Sequence, residues 1–145
     1  MMVRAPLIGV DVAIFVEALV ENAPRHAAAR EAVMTIGAGL SEFGVVAPAA
    51  VSLHETLVRL GGSDEWAADR SVDLVAMCRL LDVGSEDVVA GMDLSAASGL
   101  ALRVAVTGLA LARHGAEAVL ALDPGFGEIP GLRVAAPDAL NEIYG

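Results

Sequence analysis

Two apolar runs in this chain end in an aspartate. "PLIGVD" closes on Asp11, and "AEAVLALD" closes on Asp123 just before the turn "PGFGEIPG". Each run has the length of a buried strand, and in an open parallel sheet ligands bind outside the carboxyl ends of the strands. Two carboxylates on one such rim repel each other, and a divalent cation between them offsets that repulsion. The competing account is local, because an aspartate after a strand commonly caps the turn or helix that follows. Glu55 in "SLHETLV" is a third candidate. It lies between Leu53 and Leu57 in an otherwise apolar helix, which offers partial burial, although a solvated helix face is the default for a lone glutamate.

Positioning these acids requires a sheet and its helices. "PLIGV" is expected to be a strand that enters the helix "VAIFVEALVE" directly at Asp11. "NAPRH" interrupts it, and "HAAAREAVMTIGAGLSEFG" reads as a second helix closing on Gly44. "VVAP" reads as a second short strand and "AAVSLHETLVRLGG" as a helix stopped by the double glycine. "SDEWAADRSVDLVAMCRLLDVG" starts a helix at Ser63 with two acids in its first turn, and "SEDVVAGMDLSAASG" repeats the device at Ser85. A further helix, "LALRVAVTGLALARHG", precedes the strand "AVLAL", a last strand "LRVAA" and a C-terminal helix "PDALNEIYG". Short apolar strands alternating with helices define an α/β fold whose central, mainly parallel sheet is covered on both faces.

The chain has 145 residues, which fits a single domain over 1–145 burying roughly 70% of the surface its unfolded form exposes. Its apolar content of 56% with only 3% aromatic residues describes a core of Ala, Val and Leu. Nineteen acids stand against nine basic residues, all arginine, for a net charge of -10. That balance opposes non-specific nucleic-acid binding; it suits a basic partner, or a small metal-screened site. The acids at 11 and 17 interrupt the N-terminal apolar run too early for a signal peptide or a membrane span, so a cytoplasmic protein without a membrane segment is expected. Cys78, the single cysteine, reads as a small buried hydrophobe. His54, His26 and His114 are read as surface or helix-end residues, Trp66 as a packing anchor and Phe126 as the residue pinning the turn after Asp123 to the core.

"LIGVDVAIFVEALVENAPRHAAAREAV" resembles the opening of PIN domains, the fold of VapC-type toxin ribonucleases, in which a strand ends in Asp-Thr-Asn or Asp-Thr-Ser. "APAAVSLHETLVRL" resembles their second motif, a helix bearing a glutamate, and "HGAEAVLALDPGFGEIPGLRV" their closing strand, acid, turn and strand. The resemblance implies a three-layer α/β/α PIN-like fold. In active members four acids surround one or two Mg or Mn ions that activate water for RNA cleavage. The implied metal and catalytic acids are Asp11, Glu55 and Asp123. The third family acid has no counterpart: where members have "LRDAV", this chain has "LRVAV", with Val104 in place of the aspartate. Val12 and Ala13 likewise replace polar residues of the first motif.

Two functions compete. One is a degenerate, catalytically weak or silent binding module, a homodimer taking a basic protein or antitoxin-like partner. The other is a Mg- or Mn-dependent endoribonuclease of toxin-antitoxin type, using Asp11, Glu55, Asp123 and a fourth acid such as Asp93 or Glu17, with RNA as substrate. A small-molecule enzyme has no support from a phosphate loop, nucleophile motif or cysteine-histidine cluster.

Overall fold

The computed structural model describes residues 6–39 and 41–139. These form six α-helices and five strands. In chain order they are β1 (Leu7–Val10), α1 (Ala13–Leu19), α2 (His26–Gly37), β2 (Glu42–Val46), α3 (Ala47–Arg59), α4 (Asp64–Ala76), β3 (Arg79–Leu81), α5 (Ser85–Ser98), α6 (Leu102–Arg113), β4 (Ala118–Leu120) and β5 (Arg133–Ala135). Every strand pair is parallel and the sheet order is β3-β2-β1-β4-β5. The order reverses at β1: the chain first builds outward through β2 and β3, then returns to place β4 on the other side. The crevice beyond the carboxyl ends of β1 and β4 is therefore the switch point where α/β sheets bind ligands.

Strand alternation divides the core into two layers. Ile8, Val10, Phe43, Val45 and Leu120 face α1 to α4, meeting Phe15, Ile36, Leu53, Leu57 and Leu74. Leu7, Val46, Leu81 and Val119 face the other way, against Leu111, Phe126 and Ile129 from α6 and the segment after β4. The result is the three-layer α/β/α arrangement. Gly9 lets the second layer pack closely: a Cβ there would lie 2.6 Å from Leu111 Cδ1, so a side chain would have to displace that of Leu111.

Several boundaries differ from the sequence reading. The second helix stops at Gly37, with Gly39 at φ 72° just beyond it, and Glu42, Phe43 and Gly44 belong to β2. Pro48 lies in the first turn of α3, where its missing N–H costs nothing, so "AP" is helix and not strand. The run through "AMCRLL" leaves the helix at Ala76 and forms the edge strand β3, placing Cys78 between the two elements. Burial pushes its thiol up to about 11, which keeps it protonated and unreactive. Of the C-terminal helix expected from "PDALNEIYG", the start Pro137–Ala139 forms a 3-10 turn, and the rest lies outside the described residues.

Caps agree more closely. Ser63 Oγ accepts the Trp66 N–H at 3.1 Å. At α5 the cap is Gly84 instead of Ser85, and the buried Asp87 reaches back to accept the Gly84 N–H at 2.8 Å. The same carboxylate accepts two nitrogens of Arg113 at 2.8 to 3.0 Å, which ties the start of α5 to the end of α6. Arg113 also reaches Asp82 after β3, and His114 Nε2 lies 2.9 Å from the Asp82 carbonyl.

Candidate functional site

Asp11 is the first residue past β1. Its N–H bonds the Leu120 carbonyl at 3.0 Å, extending the β1 to β4 pairing by one residue, and its carbonyl accepts the Ile14 N–H. This anchoring points the carboxylate into the switch-point crevice, where it is only 1% exposed. Asp123 follows β4 by three residues. Its Oδ1 accepts the Gly125 N–H at 2.8 Å and so caps the 3-10 turn Pro124–Glu128. That turn is closed by the fully buried Phe126, as its position in the sequence suggested. A Cβ at Gly125 would lie 3.0 Å from Asp123 Oδ1 and 2.9 Å from Leu100 Cδ1, so the turn depends on glycine. The two aspartates lie within electrostatic reach, since the charge of Asp123 adds to the rise of the Asp11 pKa. Asp123 thus shares the rim with Asp11 and caps its own turn as well.

The start of α6 completes the crevice. Arg103 donates from Nη1 to Asp11 Oδ1 at 3.0 Å, while its side chain stays 57% exposed. Val104 beside it is 1% exposed and packs in the second apolar layer, close to the Asp123 turn. The first turn of α6 contains no acid. A cation there opposes the helix dipole, so the guanidinium is held by Asp11 and not by its own helix.

Helix α3 does not bring Glu55 to this rim. Leu53 and Leu57 define its buried side, and at about 100° per residue Glu55, two residues from each, lies about 160° around the helix from both. It is exposed, as the default of a solvated helix face expects, and is not buried between its leucine neighbours. Flanking leucines two residues away bury a strand residue but turn a helical one outward. The residues of α3 that do face the crevice are Ser52 and Thr56. With Val12, Ala13, Val16, Glu17 and Arg103 they line an open cleft of about 300 Å³. Glu17 Oε2 accepts the Arg25 N–H at 3.3 Å, and Asp93 is exposed on α5.

The chemistry of these groups is that of a compensated buried acid. Burial raises the Asp11 carboxyl above the ordinary carboxylate range; the charge and hydrogen bond of Arg103 and the Val12 N–H draw it down, and Asp123 raises it further. Asp11 Oδ2 is buried and has no hydrogen-bond partner among the described residues. A divalent ion fits this set poorly. Among the described residues no three acidic, histidine or cysteine side chains gather to hold one. The residues of α3 and α6 that line the cleft are Ser52, Thr56 and Arg103, so an ion at Asp11 would meet hydroxyls and the positive charge of the guanidinium.

No protein family profile matches the chain, and no curated protein does. Solved structures match its fold. VapC20 of Mycobacterium tuberculosis, a sarcin-ricin loop cleaving toxin, superposes with a TM-score of 0.68 at 15% identity, over 87% of this chain and 98% of its own. A chain of VapBC2 from Rickettsia felis, solved bound to a fragment of promoter DNA, gives 0.67 at 10% identity over 90% and 98%. A toxin-antitoxin complex from Klebsiella pneumoniae gives 0.64 at 15% identity over 92% and 98%.

Proposed function

We propose that this VapC-like, PIN-like fold serves as a binding module whose nuclease rim is silent or very weak. The observation that carries the reading is the pairing of Arg103 with Asp11 beside the buried Val104. An acid at position 104 would give the first turn of α6 the charge its dipole favours and add a third carboxylate near Asp123; valine there supplies neither. Asp11 and Asp123 remain as the two carboxylates of the rim, with Glu55 outside it. Loss of an essential member of a catalytic set costs several powers of ten in rate. Mg or Mn enters this reading as a weak ligand at most.

The partner in this reading is a basic protein segment of antitoxin type. Its support is the net charge of -10 and the antitoxin complexes among the fold's neighbours. A homodimer belongs to the same reading, supported by Val88, Val89 and Met92, which leave the outer side of α5 apolar and exposed. The second reading, a Mg- or Mn-dependent endoribonuclease, draws on the shared rim of Asp11 and Asp123. Cleavage of a labelled single-stranded RNA pool in Mn, by the native protein and by Asp11→Asn, separates the two. The silent module gives identical traces from both; cutting by the native protein that Asp11→Asn abolishes establishes the nuclease.

A further inference from the structure

We infer that Arg103 is the resident cation of the acidic rim, doing for Asp11 what a bound divalent ion would otherwise do. The inference rests on the silent-module reading and extends it to what holds the rim together. Burial disfavours the charged form of a carboxylate that is 1% exposed, and a cationic partner offsets that cost. Arg103 supplies that compensation at 3.0 Å from Oδ1. Asp123 makes the requirement stronger, because its negative charge acts on the same carboxyl.

The guanidinium is placed to do this by the fold. Gly9 lets Leu111, near the far end of α6, pack on β1, and Arg103 in the first turn of α6 meets Asp11 just past the end of that strand. Arg103 stands there against the preference of the helix dipole for an acid, a local rule broken at one point of an otherwise consistent helix. Its exposure leaves the stem free to swing away without repacking, whereas Val104 beside it is fixed in the core. A metal ion and Arg103 are therefore alternatives at Asp11: each offsets the charge of the carboxylate, and the charge of one repels the other. The two rim carboxylates with Arg103 present have little affinity for a divalent ion, and without it they have some, since such ions bind through one or two carboxylates and retained waters.

The test is thermal unfolding of the full chain, in EDTA and in millimolar Mn, for the native protein, Arg103→Gln and Arg103→Gln/Asp11→Asn. The native protein is expected to melt at the same temperature in both solutions. Arg103→Gln is expected to melt about 5 °C lower in EDTA and to recover in Mn, and the double variant is expected to lose the Mn response. Should Arg103→Gln fail to fold in EDTA, its refolding yield with and without Mn replaces the melt, and Arg103→Lys, which keeps a cation, should behave as the native chain does. A native melting point that rises in Mn overturns the inference, and so does an Arg103→Gln chain with no Mn response. These results are independent of RNA cleavage: a native chain that cuts RNA overturns the silent module, whereas a Mn-indifferent Arg103→Gln beside a silent native chain overturns only the role of Arg103.

Discussion

Asp87→Asn tests how the second helical layer is held. The buried Asp87 carboxylate accepts the Gly84 N–H and two Arg113 nitrogens, joining α5 to α6 and, through Arg113, to Asp82 after β3. The hydrogen bonds from Arg113 depress its pKa first, and burial opposes them. Asparagine keeps the shape and an acceptor oxygen but removes the charge and turns an N–H2 toward the guanidinium. A buried group left partly unsatisfied costs about 1–3 kcal/mol; because Arg113 reaches solvent, the lower half of that range, about 1–2 kcal/mol, applies. For a chain of this size that lowers the melting temperature by about 3–6 °C. The pH dependence gives the sign. The folded pKa of Asp87 lies below its unfolded value of about 3.9, so its contribution is full above that value and fades as pH falls through the folded one. Urea unfolding of both proteins across this range should show a gap that is constant near neutral pH and narrows below about pH 4. A gap of equal size throughout, or none at pH 7, refutes the reasoning.

Other outcomes follow from the same contacts. Gly91→Ala should destabilise the chain despite the better helix propensity of alanine, because a Cβ there would lie 2.5 Å from Val106 Cγ2 and 3.1 Å from the Val106 backbone; calorimetry should show a net loss of about 1–2 kcal/mol. Glu55→Gln should leave stability within about 0.5 kcal/mol of the native value, and a larger effect in denaturant unfolding would place Glu55 in contacts that the fold does not give it. Val104→Asp should lower the melting temperature in EDTA, since it buries a carboxyl near Asp123; Mn should restore stability only when Arg103→Gln is also present.

The sheet class and the two rim aspartates were legible because each rests on a local signal, an apolar run closed by an acid. Strand β3 was not, since "CRLL" continues the helical spacing of α4, and a three-residue edge strand with Leu80 exposed has no alternation to betray it. The end of α2 was misplaced because Gly44 looked like a helix stop, while the left-handed residue is Gly39. The exposure of Glu55 agrees with the default of a solvated helix face, and its leucine neighbours two residues away carry no sign of burial on a helix. Arg103 went unread altogether, although one sign was present: it is the residue immediately before Val104, a cation in the first turn of a helix that has no acid there.

Equilibrium dialysis of the native protein against Mn near neutral pH, with Asp11→Asn alongside, tests most directly whether the rim of Asp11 and Asp123 carries an ion. An Arg103-compensated rim predicts no stoichiometric uptake and no difference between the two proteins. One Mn ion per native chain, lost in Asp11→Asn, contradicts it and returns the rim to metal chemistry.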